Sequence, residues 1–155
     1  MAQVGILMGS ESDRSYMDET ERLLGELGIS YETHVMSAHR TPQKVHEFAS
    51  NARENGFEVI IAGAGGAAHL PGVIAAWTTL PVIGVPLPGS DLNGWDALLA
   101  IVQMPPGVPV ATVGVGKFGS RNAAYLAAQI IGVRDKTVRE AYAAHRERQA
   151  GMRID

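Results

Sequence analysis

Residues suited to anion binding and proton transfer stand close together in the stretch "VMSAHRTP", residues 35–42. Arginine is permanently charged and forks onto phosphate, whereas histidine can donate or accept a proton near neutral pH. Ser37, His39 and Arg40 therefore suit a phosphorylated ligand that undergoes proton transfer. A polar surface loop, with Arg40 in an ion pair and His39 bonded to a carbonyl, explains the same residues when they are taken alone.

A second polar loop, "MGSESDR", follows the first apolar run of the chain. Ser10 and Ser12 offer hydroxyl groups, and Asp13 can cap a helix or hold the hydroxyls of a sugar. The pattern favours helix capping by Ser12 or Asp13. The alternative is a phosphate bound by the free amides of the helix N-terminus, with Asp13 on a neighbouring ribose.

The third loop, "GAGGAAHLPG" at residues 63–72, contains a G-x-G-x-x-A spacing. A dinucleotide site is excluded, because the acidic ribose ligand expected about 20 residues further on is missing. The glycines instead predict backbone amides close to a flat or anionic ligand. His69 either caps the helix that starts near Pro71 or lines the pocket.

The sequence supports neither a P-loop nor a metal site. In "GVGKFGS" (114–120), Phe118 stands where a P-loop needs Ser or Thr, and Ala111 stands where its first glycine belongs, so ATP is not expected. The chain has no cysteine. The remaining histidines lack partners at metal-ligand spacing: His34, His46 and His145. We expect neither a metal nor a cofactor.

The elements that must position these loops follow from an alternation of short β-rich runs and helical patterns. Strands are predicted at 3–8, 31–37, 58–63, 81–87 and 108–114. Helices are predicted before Gly28 and before Gly56, and at 70–78, 94–103, 118–132 and 135–149. Continuous apolar strands predict a parallel sheet covered on both faces, a three-layer α/β/α sandwich. In such sheets ligands bind beyond the carboxyl ends of the strands.

Length and composition bound the class of protein. The 155 residues predict a single domain, 1–155, with a core at about 3–133 and a C-terminal helix at about 134–150. Thirteen basic and sixteen acidic residues, without a basic block, exclude nucleic acid as a partner. No run approaches the roughly 20 apolar residues of a membrane span, and no leader is evident. We expect a cytoplasmic protein without a membrane partner.

Five segments closely resemble the N5-carboxyaminoimidazole ribonucleotide mutases of bacterial purine biosynthesis. They are "MGSESD" (8–13), "SAHRTP" (37–42), "IIAGAGGAAHLPG" (60–72), "GVP" (84–86) and "IVQMPPGVPV" (101–110). The resemblance implies a flavodoxin-like fold and a homo-octamer whose neighbouring subunits complete each site. A related carboxylase class, which uses aminoimidazole ribonucleotide and CO2, has lysine where Arg40 stands and a different third loop. The segment at 86–100 and the short C-terminal end depart from the family pattern.

The resemblance also implies roles for individual residues. Ser10, Ser37 and Arg40 would hold the 5′-phosphate, Asp13 the ribose, and His39 would transfer the proton. Gly65, Gly66 and His69 would lie against the imidazole and its carboxylate, and the other implied substrate contacts are Ser12, Ala38 and Leu70. The implied reaction moves a carboxylate from N5 to ring carbon C4. The alternatives are direct carboxylation by CO2 and a non-catalytic nucleotide-binding module.

Overall fold

The computed structural model describes residues 1–151, so the last four residues of the predicted domain lie outside the described residues. The strands are β1 Val4–Met8, β2 Tyr31–Val35, β3 Val59–Gly65, β4 Val82–Leu87 and β5 Ala111–Thr112. The helices are α1 Arg14–Glu26, α2 Pro42–Asn51, α3 Leu70–Trp77, α4 Trp95–Val102, α5 Gly116–Gly132 and α6 Lys136–Gly151. A 3₁₀ turn at Glu11–Asp13 precedes α1.

The five strands form one parallel sheet in the order β2-β1-β3-β4-β5. In its register, Val4 pairs with Tyr31 on one side and with Val59 on the other. This is the flavodoxin-like strand order, in which the direction of winding reverses between β1 and β3. The loops after these two strands therefore diverge and leave a crevice at the carboxyl edge of the sheet.

Two apolar cores lie on opposite faces of the sheet, which confirms the predicted three-layer sandwich. One core joins the sheet to α1, α5 and α6 through Met17, Leu24, Ala124, Ala128 and Val138. The other joins it to α2, α3 and α4 through Val45, Ala49, Leu70, Ile74 and Ile101. Alanines on the buried face of α5 let that helix approach the sheet closely.

Two strands are shorter than the sequence predicts by two residues or more. β2 ends at Val35 instead of residue 37, because the amide of Ser37 donates to Thr41 Oγ1 (2.9 Å) and the chain turns toward α2. β5 contains only two residues of the predicted 108–114. Pro109 has no N–H for the ladder, and Gly114, at φ +141°, leads the chain away.

The C-terminal helix α6 packs along α5. Val138 is buried, and Tyr142 and His145 both face Tyr125, with ring centroids 5.9 Å and 4.7 Å from it. Within residues 1–151, no helix is long and apolar enough to cross a membrane.

Candidate functional site

A cavity of about 280 Å³ opens at the carboxyl edge of the sheet. Its walls come from the loops after β1, β2, β3 and β4. All eleven residues singled out in the sequence line it: Ser10, Ser12, Asp13, Ser37, Ala38, His39, Arg40, Gly65, Gly66, His69 and Leu70. The strand order explains the convergence, since parallel strands bring their carboxyl ends to one edge.

The loop after β2 builds a cationic corner. The hydroxyl of Ser37 accepts hydrogen bonds from the amides of His39 (3.3 Å) and Arg40 (3.2 Å), which holds the loop in a tight turn. The guanidinium of Arg40 donates to the carbonyl oxygen of Gly9 (3.1 Å), across the gap to the loop after β1. Thr41 precedes Pro42, which is the first residue of α2, a position that proline favours. The corner offers a fixed positive charge to an anion.

The loop after β1 is capped differently from the prediction. Ser10, and not Ser12 or Asp13, caps the 3₁₀ turn, because its hydroxyl accepts from the amide of Ser12 (3.3 Å). Asp13 makes no side-chain capping bond at the start of α1. Its carboxylate lines the cavity instead, where burial raises its pKa against opposing effects of the Ser10 backbone and the Arg40 charge. A carboxylate held there suits the hydroxyl groups of a ligand.

Two histidines meet in the middle of the cavity. His39 Nε2 lies 2.7 Å from His69 Nδ1, and the rings are nearly perpendicular at 76°. One nitrogen must carry the hydrogen and the other must offer its lone pair, so the tautomers of the two rings are coupled. The sequence predicts both histidines as site residues, but not their contact. His69 occupies the residue before α3 without a side-chain capping bond, so it lines the pocket and does not cap the helix.

The glycine-rich loop brings the backbone close to the ligand space. Gly66 has a left-handed conformation (φ +61°), and so does Ala68 (φ +47°), which a residue with a Cβ adopts rarely. A Cβ at Gly65 would stand 3.2 Å from the carbonyl oxygen of Leu87 on the neighbouring strand. The unusual backbone at Ala68 directly precedes His69 and directs the chain across the cavity.

The loop after β4 contributes Gly89 and Ser90 to the same cavity, and sequence reasoning missed both. Both lie in the segment 86–100, where the chain departs from the family pattern. The available signal was positional, because this loop directly follows β4, the neighbour of β3 in the sheet. Ala38 is half-buried, while Leu70 is buried and forms part of the floor.

Other regions of the molecule have fewer side chains that could bind or react with a ligand. A second cavity, of about 940 Å³, lies at the opposite edge of the sheet near Trp77, Pro81 and Pro109, and no histidine lines it. Among residues 1–151, no group of three or more His, Cys, Asp or Glu residues could hold a metal ion. His46 packs edge-on against Trp77, at 4.1 Å between ring centroids. The cavity at the carboxyl edge is therefore the candidate site.

The fold and the site define a flavodoxin-like domain with an anion corner and a histidine pair. The family described as AIR carboxylase matches residues 3–151, and the chain belongs to this family. Many curated relatives are named N5-carboxyaminoimidazole ribonucleotide mutase. The one from Haemophilus influenzae is 53% identical over 154 residues, which cover 99% of this chain and 94% of the relative.

Two further comparisons agree. The mutase of Pyrococcus abyssi is 55% identical over 147 residues, covering 95% of this chain and 83% of the relative. The solved structure of Treponema denticola PurE superposes with a TM-score of 0.86 at 28% identity, covering 97% of this chain and 93% of that chain. The resemblance stated from the sequence motifs is thus confirmed at the level of family and fold.

Proposed function

We propose that this protein is an N5-carboxyaminoimidazole ribonucleotide mutase, which forms 4-carboxy-5-aminoimidazole ribonucleotide in purine biosynthesis. One observation carries the proposal. His39 stands between the cationic corner at Arg40 and the glycine-rich loop, within 2.7 Å of His69, so a proton-transfer group faces the space between a phosphate site and a ring site. The names of relatives at 51–57% identity point to the same reaction.

The substrate would lie across the sheet edge. Arg40, Ser37 and Ser10 surround the position for the 5′-phosphate, because the guanidinium fork and the hydroxyls point into one corner. Asp13, on the next wall, would accept hydrogen bonds from the ribose hydroxyls. The imidazole would then reach Gly65, Gly66 and His69, where the backbone leaves room for a flat ring.

His39 would act first as an acid and then as a base. Protonated His39 gives its proton to N5 as the N5–carboxylate bond breaks, and CO2 and the enamine-like aminoimidazole result. The nucleophilic C4 attacks the retained CO2, and a C4–carbon bond forms. Neutral His39 then removes the C4 proton, which restores the aromatic ring and the starting state of the enzyme. A positioned acid or base of this kind contributes about 10²–10⁴-fold in rate.

Retention of CO2 depends on proximity. A molecule held beside C4 has an effective concentration far above that in solution, provided that the pocket excludes water. In the single chain the cavity is a shallow cleft open to solvent, so another surface must cover it during the reaction. A neighbouring subunit is the cover that we propose.

Exposed apolar side chains support such an assembly. Trp95, Leu99 and Val102 follow one face of α4, at spacings of four and three residues, and are 67%, 55% and 46% exposed. Phe118, at the start of α5, is 76% exposed. Large apolar side chains grouped in this way are typical of surfaces that another protein covers. We propose a homo-oligomer, an octamer by resemblance, located in the cytoplasm.

The deciding experiment follows both directions of the reaction without ATP or added bicarbonate. Purified protein should convert chemically prepared N5-carboxyaminoimidazole ribonucleotide faster than released aminoimidazole ribonucleotide and CO2 can account for. It should also consume 4-carboxy-5-aminoimidazole ribonucleotide in reverse. His39→Asn, measured in the same run, should do neither.

The two alternatives predict different results. Carboxylation only after CO2 is added, with no use of the N5-carboxylated substrate, would place the protein in the direct carboxylase class. Binding of the nucleotide without conversion in either direction would leave a non-catalytic binding module. Arg40 and the loop "GGAAHLPG" favour the mutase, because the carboxylase class has lysine and a different third loop at these positions.

A further inference from the structure

Ser90 is a cavity residue that the proposed mechanism does not use. It follows β4, whereas Arg40 follows β2, and three strand spacings separate the two loops along the sheet edge. At about 4.8 Å per spacing, this is about 14 Å. A ligand whose phosphate lies at Arg40 therefore points its ring end, and not its phosphate end, toward Ser90.

The hydroxyl of Ser90 is held by two partners. It donates to Asp96 Oδ2 at 2.6 Å and accepts from the amide of Leu92 at 3.1 Å. Asp96 lies in the first turn of α4, where the helix N-terminus favours a negative charge. The Ser90 hydroxyl, followed by the backbone amides of Ala97 and Asp96, keeps the pKa of this carboxyl below its usual value.

These two hydrogen bonds leave the Ser90 hydroxyl able to make only one further kind of hydrogen bond. A serine hydroxyl has a single proton and two acceptor lone pairs. An ionised carboxylate only accepts, so Asp96 takes the proton of Ser90, and Leu92 takes one lone pair. The remaining lone pair can only accept a hydrogen bond. Ser90 therefore suits an N–H donor in the cavity and disfavours a carboxylate oxygen at the same place.

We infer that Ser90 is a specificity-determining contact that accepts a hydrogen bond from the exocyclic N–H on ring carbon C5, and that Asp96 is the positioning residue that holds it in this role. The inference rests on the proposed function. Loss of CO2 from N5 converts a carbamate, which has one N–H beside its carboxylate, into an amine with two N–H groups to donate. The oriented hydroxyl therefore favours binding of the decarboxylated amine and of the product. It disfavours the carboxylate of the N5-carboxylated substrate at the same position.

The test compares two ligands on three proteins. The ligands are 4-carboxy-5-aminoimidazole ribonucleotide and its analogue without the 5-amino group, and their Kd values are measured by calorimetry. In Ser90→Ala, the Kd of the amino compound should rise about 3–10-fold, the worth of one uncharged hydrogen bond, while that of the analogue changes less than about 2-fold. Ser90→Thr, which keeps the hydroxyl, should restore the preference.

Asp96 provides a second comparison. Asp96→Asn keeps an oxygen that accepts from Ser90 and should preserve the preference for the amino compound. Asp96→Ala frees the serine proton and should reduce that preference. The far-ultraviolet circular dichroism signal of each variant, compared with that of the wild type, reports that it is folded independently of either ligand.

The possible results distinguish failure of the role proposed for Ser90 from failure of the proposed function. Equal weakening of both ligands in folded Ser90→Ala, or no change in either, overturns the role of Ser90 while the mutase assay of the wild type still stands. A wild type that neither binds the amino compound nor converts the N5-carboxylated substrate overturns the proposed function, and the inference with it.

Discussion

In the proposed mechanism His39 gives a proton and then takes one back, and its surroundings suit both steps. Its backbone amide is tied to Ser37, and its ring to His69, so the imidazole stays in place while its charge changes. Arg40, the next residue, donates to the carbonyl oxygen of Gly9 at the proposed phosphate corner. On this proposal, His39 transfers the proton and the adjacent Arg40 binds the phosphate.

This division predicts opposite kinetic effects for two neighbouring substitutions. His39→Asn keeps a polar side chain but cannot shuttle the proton, so kcat should fall at least about 100-fold while Kd for the nucleotide changes little. Arg40→Ala should raise Kd about 10–100-fold, because a charge-assisted phosphate contact is lost. Steady-state kinetics and calorimetry measure the two effects. Normal turnover in His39→Asn would exclude it as the proton-transfer residue.

Asp13 shows a conflict between stability and binding. Burial raises its pKa, so the folded protein holds the proton more tightly than the unfolded chain. The contribution of Asp13 to the free energy of unfolding is therefore complete below its ordinary pKa, and is lost as the pH rises through the higher folded value. At neutral pH the ionised carboxylate destabilises the fold.

Asp13→Asn should consequently unfold at a higher temperature than the wild type at pH 7, and bind the nucleotide more weakly. The difference in melting temperature should shrink as the pH is lowered through the pKa of Asp13. Asp18→Asn, on the exposed side of α1, is the matched control and should give no gain. A lower melting temperature for Asp13→Asn at pH 7 would contradict this explanation.

At the scale of elements, close backbone approach holds α5 against the sheet below the site. A Cβ at Gly119 would overlap the carbonyl oxygen of Gly114 and stand 3.2 Å from Val85 of β4. The helix can begin where it does only because this position has no side chain. Gly25, in the last turn of α1, has no atom within 4 Å of an added Cβ.

The two glycines should respond with opposite signs. Gly119→Ala should lower the free energy of unfolding by about 1–3 kcal/mol, because the overlapping atoms are backbone and must move. Gly25→Ala should raise it by about 0.5–1 kcal/mol, because alanine loses less conformational entropy in a helix. Urea unfolding at constant m-value measures both. Equal effects in the two variants would show that the overlap at Gly119 relaxes without strain.

At the scale of the whole molecule, we expect one neighbouring subunit to cover both the open cleft and the exposed apolar face of α4. α4 follows the loop that contains Ser90, so a subunit docked on Trp95, Leu99 and Val102 would lie next to the cavity. Assembly and catalysis should therefore be lost together.

Leu99→Glu places a charge in the middle of this apolar face, where burying it against a partner is unfavourable. We expect a smaller assembly by light scattering and at least about 10-fold lower turnover, without loss of the far-ultraviolet circular dichroism signal. Leu99→Met keeps the face apolar and should retain both assembly and activity. An unchanged molar mass for Leu99→Glu would remove α4 from the proposed interface.

The sequence was enough to predict most of the fold and the residues that line the candidate cavity. Apolar runs bounded by glycine and proline determined the strand positions, and the rule that parallel strands share one edge placed Ser10, His39 and His69 in one cavity. The exceptions were at the edges of the sheet, where the length of a strand depends on how it pairs with its neighbour. β5 shortened between Pro109 and Gly114, for example, although the run 108–114 is apolar enough for a strand.

Only the tertiary structure decided the contacts within the site. The 2.7 Å approach of His39 to His69 joins residues 30 positions apart, and no local pattern encodes that distance. The capping by Ser10, where the sequence favoured Ser12 or Asp13, and the orientation of Ser90 by Asp96 likewise depend on how the loops turn in the folded protein. Residue types and strand order are local properties and can be read along the chain, whereas hydrogen-bond directions are set only when separate segments share one small volume.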